Sequence, residues 1–357
     1  MLKDAIDFSS IQRVLVIKLR HHGDVLLTSP VFTVLQQHAP HIEIDALVYA
    51  DTAEMLTGHP HISRVHAIDR KWKHRGVLRQ AAAEWRLLTE LRARHYDLVV
   101  HLTEHPRGAW LTRLLGARYA VARSRAGRFW RKAFTHFYPI HGRGNARHTV
   151  ESNLDALRRI GIQPAQRDRR LILEAGQPAR EKMQALLSRH GLTRGEFIHL
   201  HPASRWQFKC WETRKMAELM QQLHSAGHKL VLTGAPSADE QAMLAEILRL
   251  ANVPVVNLAG QLSLKELAAL TEQARCFVGV DSAPMHIAAA MQTPVVALFG
   301  PSGDIEWGPW MVKHRLLVSD HSCRPCGQDG CGGGKVSECL TTIPVERVRA
   351  AIRDVLG

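Results

Sequence analysis

Twice along the chain, short apolar runs rich in Val, Ile and Leu stop at a polar or glycine-bearing turn and give way to segments of helical period. In the first half, residues 13–19 (Arg-Val-Leu-Val-Ile-Lys-Leu) have the character of a strand buried on both faces. His21-His22-Gly23-Asp24 breaks the run, and residues 25–38 carry apolar side chains at 27, 31, 34 and 35, one face of a helix. Strands are also expected at 42–48, 66–68 and 97–102, with an amphipathic helix at 79–94. The second half repeats the plan, with strands at 197–201, 229–234, 255–258, 276–281 and 294–300 and helices near 212–226, 238–250, 264–274 and 286–291. Such alternation is satisfied by an open parallel sheet with helices on both faces. A chain of 357 residues exceeds one comfortable core and suits two α/β domains. The Gly- and Pro-punctuated stretch 173–178 divides it into 1–175 and 176–357. Two Rossmann-like, doubly wound parallel-sheet domains facing a cleft are expected, with a terminal helix at 345–356 packing back on the first domain.

In open sheets of this kind ligands bind beyond the carboxyl ends of the strands. Asp24 follows the first strand and fits a general base that takes a proton from a hydroxyl. A helix N-cap fits the same position, and the two roles are compatible. Gly23 beside it suits close approach of the backbone to a substrate. In the second half, the loop 201–211 (His-Pro-Ala-Ser-Arg-Trp-Gln-Phe-Lys-Cys-Trp) offers Ser204, Arg205 and Lys209 as donors to an anion, and Lys209 suits a diphosphate leaving group. Trp206, Phe208 and Trp211 are three large rings that an idle exposed loop would not carry. Residues 279–290 (Gly-Val-Asp-Ser-Ala-Pro-Met-His-Ile-Ala-Ala-Ala) run a strand into a small-residue helix whose start suits a phosphate. There Asp281 and Ser282 serve either the ligand or a cap, and His286 either the ligand or the core.

Charge is unevenly spread. Residues 1–178 hold 28 Lys and Arg against 16 Asp and Glu, whereas residues 179–357 hold 19 against 17, and most of the excess lies in 61–150. A field of that sign attracts nucleic acid, an anionic membrane or a phosphorylated glycolipid, although dispersed arginines also serve simply as a solvated surface. The N-terminus has no apolar run before Val14, and no window resembles a membrane span, so a cytoplasmic location is expected. Walker A, G-x-S-x-G, H-E-x-x-H and G-x-G-x-x-G patterns are absent, which disfavours ATPase, hydrolase and dehydrogenase chemistry. Four of the six cysteines, Cys323, Cys326, Cys331 and Cys339, lie within seventeen positions. This spacing suits a structural zinc or iron as well as a loop of reduced thiols.

The segments 16–30, 129–136, 151–154 (Glu-Ser-Asn-Leu), 208–211 and 279–290 resemble glycosyltransferase family 9, the ADP-heptose:lipopolysaccharide heptosyltransferases. The middle segments are most similar to its third type, which adds a branch heptose to the second core heptose. The resemblance spans nearly the whole chain. It implies an inverting, metal-independent transferase with an ADP-heptose donor on the second domain and a lipid A–core oligosaccharide acceptor on the first. Asp24 falls on the family's general base, Lys209 on its diphosphate lysine and Ser204 on a phosphate-contacting hydroxyl. Asp281, Ser282, Ala283 and His286 fall on its nucleotide-sugar loop, and Arg20, His22 and Gly23 lie on the acceptor side. No cofactor is implied for catalysis. The basic domain is expected to meet the acceptor's phosphates and the inner leaflet of the membrane; nucleic acid is not an expected partner. Pro236 stands where some relatives place a ribose-binding acid, leaving Asp239 or Glu240 as substitutes. Rival readings are a transferase of this fold with another acceptor, either a core type I or II or a protein, and a non-catalytic nucleotide-sugar-binding module.

Overall fold

The structure, a computed structural model, describes residues 4–74, 76–139 and 145–357. Residues 75 and 140–144 of the basic stretch therefore lie outside the described residues. The chain forms two compact units. The first holds the described residues up to 139 together with Thr149–Ile172; the second holds residues 145–148 and Leu173–Gly357. The expected boundary near 175 is thus close to the second crossing, but the chain also visits the second unit early. The reason is local: His148 Nε2 hydrogen-bonds the Gly308 carbonyl at 3.0 Å and its ring stacks on Trp310.

In the first unit, β1 (Arg13–Lys18), β2 (Glu43–Tyr49), β3 (Arg64–Ile68), β4 (Leu98–His101), β5 (Tyr119–Arg123) and β6 (His136–Tyr138) form one parallel sheet in the order β3-β2-β1-β4-β5-β6. The helices are α1 (His22–Leu26), α2 (Ser29–His38), α3 (Val77–Arg92), α4 (Pro106–Leu115), α5 (Arg128–Ala133) and α6 (Thr149–Arg159). Val14–Ile17 of β1 are covered on both faces, which is why that strand is uninterruptedly apolar. Leu87, Leu88 and Leu91 of α3, Ala109 and Leu111 of α4 and Trp130 of α5 share one core with Leu15, Ile17 and Val99 of the sheet. Truncating one of these, Leu91→Ala for example, is expected to cost about 2–5 kcal/mol. The single helix expected at 25–38 is two helices. Pro30 lies in the first turn of α2, where its missing N–H is tolerated, and the chain restarts there after Leu27 and Thr28.

The second unit repeats this topology. Its helices are α7 (Gln177–Arg189), α8 (Thr213–Ser225), α9 (Ala238–Ala251), α10 (Leu264–Gln273), α11 (Ala283–Ala290), α12 (Asp304–Trp307), α13 (Glu338–Thr341) and α14 (Val345–Leu356). Its strands are β7 (Phe197–His201), β8 (Lys229–Leu232), β9 (Val256–Asn257), β10 (Cys276–Val280), β11 (Val295–Leu298) and β12 (His314–Leu317), in the order β12-β11-β10-β7-β8-β9. Read from β9, this is the strand order of the first sheet again. In each sheet the order reverses beside the opening strand, between β1 and β4 and between β7 and β10, and crevices for ligands form at such points. Two Rossmann-like units of this kind constitute the GT-B fold. The terminal helix α14 lies on its own unit: it packs on β10, β11, β12 and α8, with Val348, Ile352 and Val355 in that core. Among the described residues no helix is long and apolar enough to cross a membrane.

Candidate active site

The first switch point presents Asp24. It occupies the first turn of the short helix α1, whose N-cap is His21 and which has no side-chain cap bond. The capping role open to Asp24 in sequence is therefore not the one it plays, and Gly23 is an ordinary helical residue rather than a strained turn. The Asp24 carboxylate, 13% exposed, meets among the described residues a loose ion pair, 3.5 Å from Arg20 Nε. The rim beside it is tied down. Arg70 Nη2 donates to the Arg20 carbonyl at 2.9 Å, Arg70 Nε lies 3.2 Å from Asp51 Oδ1, and His22 Nε2 hydrogen-bonds the Asp51 carbonyl at 2.8 Å. Arg20, His22 and Asp24 are thus brought together, with Arg70 added by the structure.

Behind Asp24 lies a residue the sequence reading passed over. Lys18, at the end of β1, is buried, and its Nζ donates to the Leu102 carbonyl at 3.0 Å and to Asn153 Oδ1 at 3.2 Å. Asn153 Nδ2 in turn donates to the Leu27 carbonyl at 3.0 Å, just past α1. The network joins β4, α6 and the segment that carries the carboxylate. Burial pushes the Lys18 ammonium down to about 8, and the negative charge of Asp24 offsets part of that fall. The folded state therefore releases this proton before the unfolded chain does, whose lysine titrates near 10.5. Between those values the unfolded chain binds more protons, so the Lys18 contribution to stability rises with pH. Transfer is expected to change the opposite way, falling above about pH 8 as the positive charge beside Asp24 is lost. Lys18→Met should flatten that alkaline limb of the kcat/KM profile, which a pH series on the two proteins measures. The signal in sequence was one lysine in an otherwise apolar strand.

At the second switch point, Lys209 and Asp281 meet. Lys209 Nζ lies 2.6 Å from Asp281 Oδ2, with the two side chains 22% and 8% exposed. The loop bearing Lys209 is held from below. Trp211 is 2% exposed and its indole N–H donates to the Ile343 carbonyl at 3.2 Å, Phe208 is 8% exposed, and Ser337 Oγ donates to the Phe208 carbonyl at 2.6 Å. Of the three rings that argued against an idle exposed loop, two are anchors and one is exposed, Trp206 at 45%. Ser204 is buried, and its Oγ accepts a hydrogen bond from Trp206 N–H at 3.3 Å. Ser282 is the N-cap of α11 but makes no side-chain cap bond, so the helix start from Ala283 is left for another acceptor. His286 is buried within α11, one turn in from that start.

Two cavities flank this loop. The smaller, about 400 Å³, is lined by Lys209, Trp206, Ser302, Gly303 and Glu306 among others, just beyond the end of β11. Asn145 shapes it: its Oδ1 accepts from the Ile305 and Glu306 N–H groups at 2.7 and 2.9 Å. A Cβ at Gly303 would sit 2.6 Å from that oxygen, so only glycine lets Asn145 close in. The larger, about 510 Å³, is lined by Ser204, Arg205, Ser237, Asp239, Glu240 and Met243 among others. Glu240 is turned inward, accepting from Ala235 N–H at 2.9 Å, which leaves Asp239 as the exposed acid. Asn145 and the 301–303 turn were missed in sequence; the Gly300–Gly303 turn after a strand was the available signal.

The cysteine loop lies against the same site rather than far from it: Cys326 lines the smaller cavity, and Lys335 and Ser337 the larger. All four thiols are free; Cys323, Cys326 and Cys331 are exposed and Cys339 is buried in α13. Burial pushes the Cys339 thiol up, and Cys326, Cys331 and Cys323 add to the rise. Among the described residues, however, no three His, Cys, Asp or Glu side chains gather as a metal cage. Cys276 is buried, as expected, and Cys210 partly so; burial pushes their thiols up to about 12 and about 11.

The model of glycosyltransferase family 9 (heptosyltransferase) matches residues 84–336. The chain is 38% identical over 343 residues to lipopolysaccharide heptosyltransferase 3 of Escherichia coli (strain K12), covering 95% of this chain and 96% of that one. Its fold is similar to a glycosyl transferase family 9 structure from Veillonella parvula DSM 2008, with a TM-score of 0.84, 23% identity and 99% of both chains covered. It is also similar to that of E. coli ADP-heptose lps heptosyltransferase II, with a TM-score of 0.75, 22% identity and coverage of 97% and 98%. Taken with a carboxylate at one switch point and an ammonium beside an open helix start at the other, these matches show that the chain belongs to glycosyltransferase family 9, the heptosyltransferases.

Proposed function

We propose that the protein transfers a heptose from ADP-heptose to a heptose of the lipopolysaccharide inner core, with inversion at the anomeric carbon. The observation that carries this is the division of chemistry between the two switch points. A lightly paired carboxylate stands at one, and at the other an ammonium lies beside a helix start without a side-chain cap. Asp24 takes the proton of an acceptor hydroxyl as its oxygen attacks the anomeric carbon. The bond from that carbon to the diphosphate breaks, and ADP leaves with the electron pair. Lys209 and the start of α11 stabilise the charge that develops on ADP, with Asp281 yielding the ammonium to the phosphates. Ser204 contacts phosphate, His286 supports the nucleotide-sugar loop, and Asp239 takes the ribose in place of the acid that Pro236 displaces. Arg20, His22 and Gly23 border the acceptor. The acceptor is the lipid-anchored core, met at the cytoplasmic face of the inner membrane.

The charge stabilisation comes from side chains and backbone, so transfer is expected to persist after exhaustive chelation; an assay with and without EDTA checks this. The cysteine loop is proposed to shape the donor site through Ser337, which holds the Lys209 loop, and any zinc or iron on its thiols would be structural. Product analysis by NMR tests the reaction: a heptose on a core heptose, of opposite anomeric configuration to the donor, is expected. A retained configuration, or no sugar on the core, contradicts it.

A further inference from the structure

The outer face of the first unit's helical layer carries its own feature. Leu87, Leu88, Leu91, Leu111 and Trp130 turn inward, so α3, α4 and α5 cover one side of the sheet. Arg107 pairs with Glu84, Arg92 donates to the Leu114 carbonyl, and Trp110 packs on Phe129 with centroids 4.2 Å apart. These contacts knit the three helices into one continuous layer. Opposite the core, Val77 is 83% exposed, Leu78 86%, Trp85 67%, Trp110 56% and Leu114 42%. These are five of the eight large hydrophobic residues exposed among the described residues, all on two adjacent helices. Leu78 and Trp85 are seven residues apart and Trp110 and Leu114 four, so each pair shares a helix face.

Around these side chains the charge has one sign. Arg79, Arg86, Arg128, Arg131 and Lys132 are exposed, and α4 and α5 contain no acid. The two acids of α3 are engaged, Glu84 with Arg107 and Glu90 with His66. We infer that this face docks the enzyme on an anionic lipid bilayer. Tryptophan is favoured at the water–lipid boundary, with leucine below it and arginine reaching the headgroup phosphates. The apolar groups project singly from a helical layer rather than lining a groove, which suits a deformable lipid surface better than a shaped protein partner. Trp110 is packed on Phe129 rather than presented as a free stacking platform, which disfavours single-stranded nucleic acid. This deepens the proposed function, in which the acceptor is lipid-anchored, but it rests on the surface itself.

Co-sedimentation with vesicles tests it, using phosphatidylcholine alone and phosphatidylcholine mixed with phosphatidylglycerol, without donor sugar. Binding to the anionic vesicles only, weakening as salt is raised, is expected. Leu78→Ser/Trp85→Ala should reduce that binding by about tenfold, and Arg128→Glu/Arg131→Glu should reduce it as well. Both double variants should retain the wild-type melting temperature and wild-type turnover of a delipidated core oligosaccharide. Equal binding by wild type and the two folded variants, equal binding to neutral vesicles, or binding to duplex DNA in place of vesicles overturns the inference. Loss of turnover with tryptophan-dependent vesicle binding intact would instead count against the transfer reaction alone.

Discussion

Asp24→Asn is expected to lower kcat for heptose transfer by roughly 10²–10⁴-fold, the usual range for a positioned general base. The substitution keeps the size of the side chain and removes its negative charge together with its ability to accept a proton. Asp24 makes no cap bond, and its ion pair among the described residues is a 3.5 Å contact with a half-exposed arginine. A loose pair of that kind contributes little to stability, so the melting temperature should move little. Affinity for ADP should be unchanged, since the diphosphate residues lie in the other unit. A steady-state comparison with calorimetric ADP binding separates these effects. A variant that turns over normally would remove Asp24 from the mechanism.

Lys209→Met is expected to reduce turnover by about 10²–10³-fold, as loss of one charge-stabilising donor does in comparable sites, and to weaken ADP binding with it. It should also cost about 1–3 kcal/mol of stability, because Asp281 would keep a nearly buried carboxylate without its partner. The double variant Lys209→Met/Asp281→Asn distinguishes the two effects. It should recover most of the lost melting temperature and none of the activity. Recovery of activity would show that Lys209 acts only as a counter-charge to Asp281.

The long, uninterruptedly apolar strands could be read directly from sequence, because burial on both faces leaves no polar position to blur the pattern. That is why β1, β10 and β11 were expected close to where they lie, and β7 too, where two histidines sit in a buried run, and hence both switch points. β5, β6 and β12 were missed, because Arg123, His136, His314 and Arg315 leave apolar runs too short to stand out. The same holds for α1, which a helix reading merges with α2. Asp24, Lys209 and Asp281 were singled out because each lies beyond the end of a strand. The pairing of Lys209 with Asp281, 72 positions apart, is tertiary and left no local trace. Nor did the Lys18–Asn153 bond, which spans 135 positions. The rings at 206–211 argued against an idle loop, and Phe208 and Trp211 are its anchors, but the Ile343 and Ser337 partners that hold them are reached only in the fold. The fold also returns the cysteine loop to the cavity beside Lys209.

The most direct test is ADP release from ADP-heptose by the purified protein, with and without a core acceptor lacking only the branch heptose. Release that depends on that acceptor, and disappears in Asp24→Asn while ADP-heptose still binds, is the predicted result. Binding of ADP-heptose without release on any truncated core would contradict the transfer reaction and leave a nucleotide-sugar-binding module.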